Sequence, residues 1–177
     1  PCNKSGKYCK CSSNMLIENI TTNFSVGMSI GSVSPNKHHS CVRNITFQNI
    51  VQNMPFKAIY IKTNPGNIGD GEITNIIYSK FEIYNPLWWP IYIGPQQMQQ
   101  PDGSGPGCMV KPLKCVTQPL IDINNVSIEN INIYNTFWPY AGLINCNETN
   151  PCSNILFKNV TSTSKFISKF ISNYQYK

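Results

Sequence analysis

Apolar residues in this chain recur on a seven-residue frame. The stretches Asn14–Ile20, Asn44–Ile50, Asn75–Phe81, Asn125–Ile131 and Asn154–Val160 each read Asn, apolar, variable, apolar, polar, Asn in four of the five, apolar. Their starting positions are separated by 30, 31, 50 and 29 residues. A second set of short alternating stretches follows each of the first four: Gly27–Ser32, Ala58–Thr63, Pro90–Pro95 and Ala141–Asn145. Alternation with a period of two marks strands that show one face to a core. Nowhere is there a sustained helical period. Two strands per unit of about thirty residues is the signature of a solenoid. The expected fold is all-β, a right-handed parallel β-helix in which successive coils pair at about 4.8 Å and inward Ile, Val and Phe stack in columns. Asn at equivalent turns can form a ladder and tolerates left-handed backbone.

The same pattern divides the chain. Residues 1–177 read as a single β-helix domain, the C-terminal portion of a longer solenoid. The one long spacing places a loop insertion within 82–117, dense in Pro and Gly. Residues 161–177 read as a tail capping the last coil, with Phe166, Ile167, Phe170 and Ile171 as its apolar side. A solenoid end needs such a cover, because an open strand edge invites pairing.

Aligning the second strands gives two outward columns: Ser29, Tyr60 and Tyr92 in one, Gly31, Lys62 and Gly94 in the other. Met28, Ile59 and Ile91 point inward, as do Ile30, Ile61 and Ile93. Tyrosines on successive coils would form a ladder suited to stacking sugar rings. An aromatic pair that merely stabilises the sheet explains them equally well. Trp88 and Trp89, at the base of the insertion, read either as a sugar platform or as a plug in the stack.

Composition narrows the setting. With 41% hydrophobic and 12% charged residues, the 177-residue chain can bury a substantial core and is not a disordered segment. The net charge of +6 comes from scattered Lys and Arg. It fits an acidic polysaccharide and forms no block for nucleic acid. No apolar run is long enough to span a bilayer, and Pro1-Cys2-Asn3 begins no signal peptide, as in a processed or truncated segment. Eight cysteines without paired metal spacing read as disulfides. Local bridges are expected for Cys108 with Cys115 and Cys146 with Cys152, and two more within Cys2, Cys9, Cys11 and Cys41, whose connectivity stays open. Sequons at Asn3, Asn19, Asn23, Asn44, Asn125, Asn147 and Asn159 point to the same oxidising route, and so to a secreted, extracellular or cell-wall glycoprotein. No cofactor or metal is expected. His38-His39 has no companion acid nearby in sequence, and Gly103–Gly107 lacks the Lys-Ser/Thr of a phosphate loop.

Gly27–Ser32, followed about thirty residues later by Ile61-Lys62-Thr63-Asn64-Pro65-Gly66 and then by Ile73-Thr74-Asn75-Ile76, resembles the polygalacturonases, glycoside hydrolase family 28. The resemblance implies a right-handed β-helix that hydrolyses the galacturonan of pectin. It also implies aspartates in motifs that would lie upstream of Pro1, a histidine just before the Ile-Gly-Ser strand, and an Arg-Ile-Lys. In this chain Val26 stands at the histidine position and Tyr60 at the arginine position, and Lys62 alone is kept. Inverting hydrolysis needs an acid and a water-activating carboxylate with room for water between them. Val26 supplies neither. Tyr60 offers a hydroxyl and a ring in place of a planar charged fork.

The carboxylates present are Asp70, Asp102, Asp122, Glu18, Glu72, Glu82, Glu129 and Glu148. Asp70 and Glu72 come nearest to the groove rim. Three expectations follow: a polygalacturonase-like hydrolase with an altered site, a carbohydrate-binding or structural glycoprotein that has lost catalysis, or a solenoid that joins its upstream half or another chain through its N-terminal edge. Expected substrate contacts are Lys62, Tyr60, Tyr92, Ser29, Trp88 and Trp89.

Overall fold

The computed structural model describes residues 11–35, 39–64, 67–95, 117–137, 140–164, 168–171 and 174–176. Long and short strands alternate along the chain. The long ones are β1 (Ser12–Asn23), β3 (Ser40–Asn53), β5 (Gly71–Tyr84), β7 (Ile121–Thr136) and β9 (Ser153–Ser164). The short ones are β2 (Met28–Val33), β4 (Ile59–Thr63), β6 (Ile91–Pro95) and β8 (Gly142–Ile144). Among these nine, long strands pair with long, in the order β1-β3-β5-β7-β9, and short with short, in the order β2-β4-β6-β8, all parallel. This is a parallel β-solenoid of about four turns, as the repeat implied.

The heptads lie inside the long strands, which are longer than the sequence pattern suggested because they bend without breaking. Bends fall on left-handed residues five apart: Asn44, Asn49 and Met54 in one coil, Asn125, Asn130 and Asn135 in another, all with φ between 52° and 58°. Asn is tolerated there because its short polar side chain supports αL backbone. It also bonds to the coil beside it. Asn44 Nδ2 donates to Asn14 Oδ1 at 3.0 Å, Asn75 Nδ2 to Asn44 Oδ1 at 3.1 Å and Asn159 Nδ2 to Asn130 Oδ1 at 3.0 Å. Lys80 takes the second bend of β5 with φ 58° and leaves that ladder without an amide at its rung.

Inside, register aligns the apolar positions into columns. Met15, Ile45, Ile76, Val126 and Ile155 align along the five long strands, and the last four are at most 2% exposed. Met15, on the terminal strand β1, is 47% exposed. Each buried Ile or Val contributes about 1.5–3 kcal/mol over an exposed one. Phe47 stacks on Tyr78 with ring centroids 4.9 Å apart and planes 6° from parallel, and Phe81 meets Tyr78 edge-on at 5.9 Å.

Two boundaries differ from expectation. Glu82–Pro95 is ordinary coil, because Tyr84 pairs with Asn53 and Tyr134 and β6 pairs with β4. The extra length therefore falls at 96–116, outside the described residues. Thr161–Ser164 belongs to β9, and the tail adds two antiparallel strands to it, β10 (Ser168–Ile171) and β11 (Tyr174–Tyr176). The tail thus lies on the last rung as strands, whose backbone groups satisfy an edge that an apolar helical face would leave unpaired.

Cys11–Cys41 staples the first coil to the second, and Cys146–Cys152 closes the turn between β8 and β9. Cys2, Cys9, Cys108 and Cys115 lie outside the described residues.

The Tyr78 hydroxyl is fully buried with no hydrogen-bond partner among the described residues, and burial pushes its pKa far up. An orphaned buried hydroxyl costs stability, so Tyr78→Phe is expected to stabilise the protein by about 1 kcal/mol. Denaturant midpoints of the two proteins check this; an unchanged or lower midpoint would contradict it.

Candidate functional site

On the β2-β4-β6-β8 face the register aligns part of the columns read from the sequence. Ser29, Tyr60, Tyr92 and Leu143 align in one column. Lys62 pairs with Gly94 in the next. On the other side of Lys62 the register slips: Ile30 pairs with Ile61 and Val33 with Thr63, so Gly31 and Ser32 together oppose Lys62 in a bulge. The two glycines have a backbone reason to be there. Both hold positive φ, 115° at Gly31 and 147° at Gly94. A Cβ on Gly31 would collide with the Lys62 carbonyl oxygen, and one on Gly94 would lie 2.7 Å from that of Asn145. The clearing around Lys62 thus follows from close coil approach.

The tyrosines differ from expectation. Tyr92 is fully covered and Tyr60 is 5% exposed, so neither presents a free ring face for a sugar. They meet edge-on with centroids 5.4 Å apart. Tyr92 donates its hydroxyl to the Pro95 carbonyl at 2.9 Å. Burial pushes the Tyr60 pKa up to about 12 and that of Tyr92 further still. Above them sits a residue that strand parity passed over. Lys57, in the turn before β4, holds its Nζ 4.5 Å from the Tyr60 ring centroid, 4.6 Å from that of Phe56 and 6.0 Å from that of Tyr92. A lysine one step outside a strand reads as solvated in sequence; the adjacent Phe56 was the available clue.

Ser29 is exposed and Lys62 half-buried. Trp88 and Trp89 are each half-buried and extend the aromatic surface along the coils. Trp88 stacks on Phe56 at 6.2 Å and 5°, and Trp89 on Tyr140 at 6.3 Å and 27°. Val26, at the position where the resemblance implied a histidine, is 61% exposed.

No carboxylate belongs to this face among the described residues. Asp70 is engaged by His39, Nδ1 to Oδ1 at 2.9 Å, so the histidine does have an acidic companion, one coil away. Glu72, expected near the rim beside Asp70, lies on β5 in register with Cys41 and Asp122. Its carboxylate is close to Cys11 and Cys41, whose sulfurs are bonded to each other and are not metal donors. Asp122 accepts from Asn150 Nδ2 at 2.7 Å. Glu18 and Glu129 share an outward position of the long sheet: Glu18 accepts from Gln48 Nε2 at 2.6 Å, and Glu129 from Ser127 Oγ. Glu82 accepts from Asn132 at 2.8 Å, and Glu148 is exposed. Asp102, His38 and Gly103–Gly107 lie outside the described residues.

Five sequon asparagines stand on the long sheet. Asn19, Asn23 and Asn125 enter the ladders as acceptors, from Asn49, Asn53 and Asn154. Asn44 and Asn159 use Nδ2, the atom that a glycan would occupy, as a ladder donor. Asn147 donates Nδ2 to Thr117 Oγ1 at 2.9 Å and accepts from the backbone N–H of its own sequon Thr149 at 2.9 Å. Asn3 is not among the described residues.

The family model described as "Glycosyl hydrolases family 28" matches residues 8–176. Neither the curated proteins nor the solved structures yield a match.

Tyr92→Phe is expected to destabilise the protein by about 1 kcal/mol, because it leaves the Pro95 carbonyl without its buried donor. The sign is opposite to that for Tyr78→Phe. Thermal melts of both variants test the contrast, and a Tyr92→Phe protein as stable as the parent would show that this hydrogen bond does not hold the end of β6.

Proposed function

The chain belongs to glycosyl hydrolases family 28, and on that premise we propose that it is a secreted glycoprotein that binds acidic, pectin-like polysaccharide along the β2-β4-β6-β8 face without cleaving it. The carrying observation is the make-up of that face. Lys62, the one side chain kept from the family pattern, stands in a clearing between Gly31-Ser32 and Gly94, with half-buried Trp88 and Trp89 on the neighbouring turns. A cation in such a place attracts a uronate carboxylate, and indole rings take the apolar face of a pyranose.

The absence of turnover rests on chemistry. Hydrolysis of a glycosidic bond needs a proton donor at the leaving oxygen and a base for water. On this face the described residues supply hydroxyls, amides, rings and lysines. The acids nearest in sequence are occupied elsewhere, Asp70 by His39 and Glu72 on the other sheet. Two disulfides favour an oxidising compartment. Of the sequons described, Asn19, Asn23 and Asn125 suit glycans best, since the ladders do not use their Nδ2 atoms.

A second reading has the solenoid continuing into upstream coils or another chain. It is favoured by β1 and β2, each the end strand of its sheet, and by the exposed Met15 and Leu16 on β1.

Isothermal titration of the chain with trigalacturonate tests the main reading. Lys62→Ala is expected to weaken binding by about five- to tenfold, the worth of one charge-assisted contact, while neutral galactotriose binds poorly to both. Equal binding of the neutral sugar would overturn the role of charge. Release of reducing ends from polygalacturonate, abolished by Lys62→Ala, would overturn the absence of cleavage.

A further inference from the structure

The turn that leads from each long strand to the next short one is where this solenoid keeps most of its exposed apolar surface. Among the described residues eleven large apolar side chains stand exposed, and six of them lie in this turn: Phe24, Val26, Phe56, Leu87, Phe137 and Tyr140. The turns are in register. Phe24, Met54, Asn85 and Asn135 each bend the chain with φ between 51° and 58°. Backbone bonds tie neighbouring turns together, Phe56 N–H to the Ser25 carbonyl at 2.7 Å and Leu87 N–H to that of Pro55 at 2.9 Å. Two residues after each bend come Val26, Phe56, Leu87 and Phe137, which therefore form one row along the axis, about 4.8 Å from coil to coil. They are 61, 43, 43 and 58% exposed. A turn that only faced water would not repeat large apolar residues at one position, and a continuous row of them marks a contact surface.

The bend residues make a second row beside the first, and its two ends differ. Near Leu87 and Phe137 lies a depression of about 420 Å³, lined also by Met54, Asn85, Pro86 and Asn135. Its two amides bond to each other, Asn135 Nδ2 to Asn85 Oδ1 at 3.3 Å. At the other end stands Phe24, 73% exposed, the most of any large apolar side chain described. One end offers a hole and the other a knob.

We propose that this surface joins two copies of the chain, related by a two-fold axis that crosses the row between Phe56 and Leu87. Reversing the row sets Val26 against Phe137 of the second copy and Phe56 against Leu87 of the second copy, so each ring meets an aliphatic side chain. The same operation brings Phe24 of either copy over the depression of the other. Rows laid without reversal would set Phe24 against itself and leave both depressions empty. A sugar is the poorer occupant, because Val26 and Leu87 have no ring face and the two amides are spent on each other. The row itself carries no charge, while each chain has a net charge of +6 that opposes association. None of this depends on what the short strands bind.

Sedimentation velocity of the chain between about 1 and 500 µM tests the proposal. A contact smaller than a standard interface is expected to give a dimer with a Kd of roughly 10–100 µM. Salt should strengthen it by screening the repulsion between like-charged copies. Val26→Glu and Phe137→Lys should each weaken the dimer at least about tenfold. Ile68→Glu, at a residue 54% exposed outside the row, should leave it unchanged. Thermal melts at low concentration show whether the variants fold; if one does not, the other and the salt dependence of the parent decide. Mixing the two variants tests the geometry. The reversed pairing sets the introduced carboxylate against the introduced ammonium, so the mixture should associate more tightly than either variant alone. A parent that stays monomeric at the highest concentration overturns the proposal, as does a dimer that both variants leave intact. Variants that break the dimer without recovery on mixing overturn the two-fold pairing. A monomer that binds galactotriose, and loses it on Phe137→Lys, would assign the row to a glycan and overturn the proposal too.

Discussion

Each coil of this protein must reverse direction several times without giving up backbone hydrogen bonds to its neighbours, and the residue that makes this possible is asparagine with positive φ. At Asn44, Asn49, Asn125 and Asn130 the chain bends while the ladder runs on. Because the bends recur at the same register in every coil, the side-chain amides meet and bond along the axis. The bends also fix parity, since a one-residue slip would turn every Ile of a strand outward. The apolar columns, the stacked Phe47–Tyr78 pair and the spacing of the short strands all depend on that register.

The short-strand face inherits its chemistry from the same constraint. Its outward positions are set by the coil, so which residues meet there is a matter of counting: Ser29, Tyr60, Tyr92 and Leu143 in one column. What the column then does depends on what stands in the turn before each strand. Lys57 and Phe56 arrive from such a turn and cover Tyr60, converting an expected aromatic platform into the floor beneath a cation. Trp88 and Trp89, which come from the equivalent turn one coil on, stack on Phe56 and Tyr140.

The heptads and the short strands were legible in sequence because both are periodic, and their boundaries were placed within about a residue for Met28–Val33, Ile59–Thr63 and Ile91–Pro95. Periodicity also gave the Lys62–Gly94 pair. It failed where structure depends on neighbours across the coils. The exposure of Tyr92 could not be counted, because it hangs on a hydrogen bond to Pro95 and on side chains from another turn. His39 looked isolated because its partner Asp70 is 31 residues away in sequence and one coil away in space. The Gly31-Ser32 bulge broke a column that simple alignment would have continued, and the tail's spacing of apolar residues did not disclose that it pairs as strands.

In a molecule built as a stack, each coil touches only the coils beside it, so disorder enters from the ends. The Cys11–Cys41 bridge changes how it enters. The first rung is welded to the second, and neither can peel away alone, so the smallest piece that can open at that end is two rungs deep. At the opposite end, where β10 and β11 lie on β9, non-covalent pairing alone ties strand to strand among the described residues. The solenoid is therefore mechanically polarised, a zipper with one end sewn, and in a reducing environment that asymmetry would disappear.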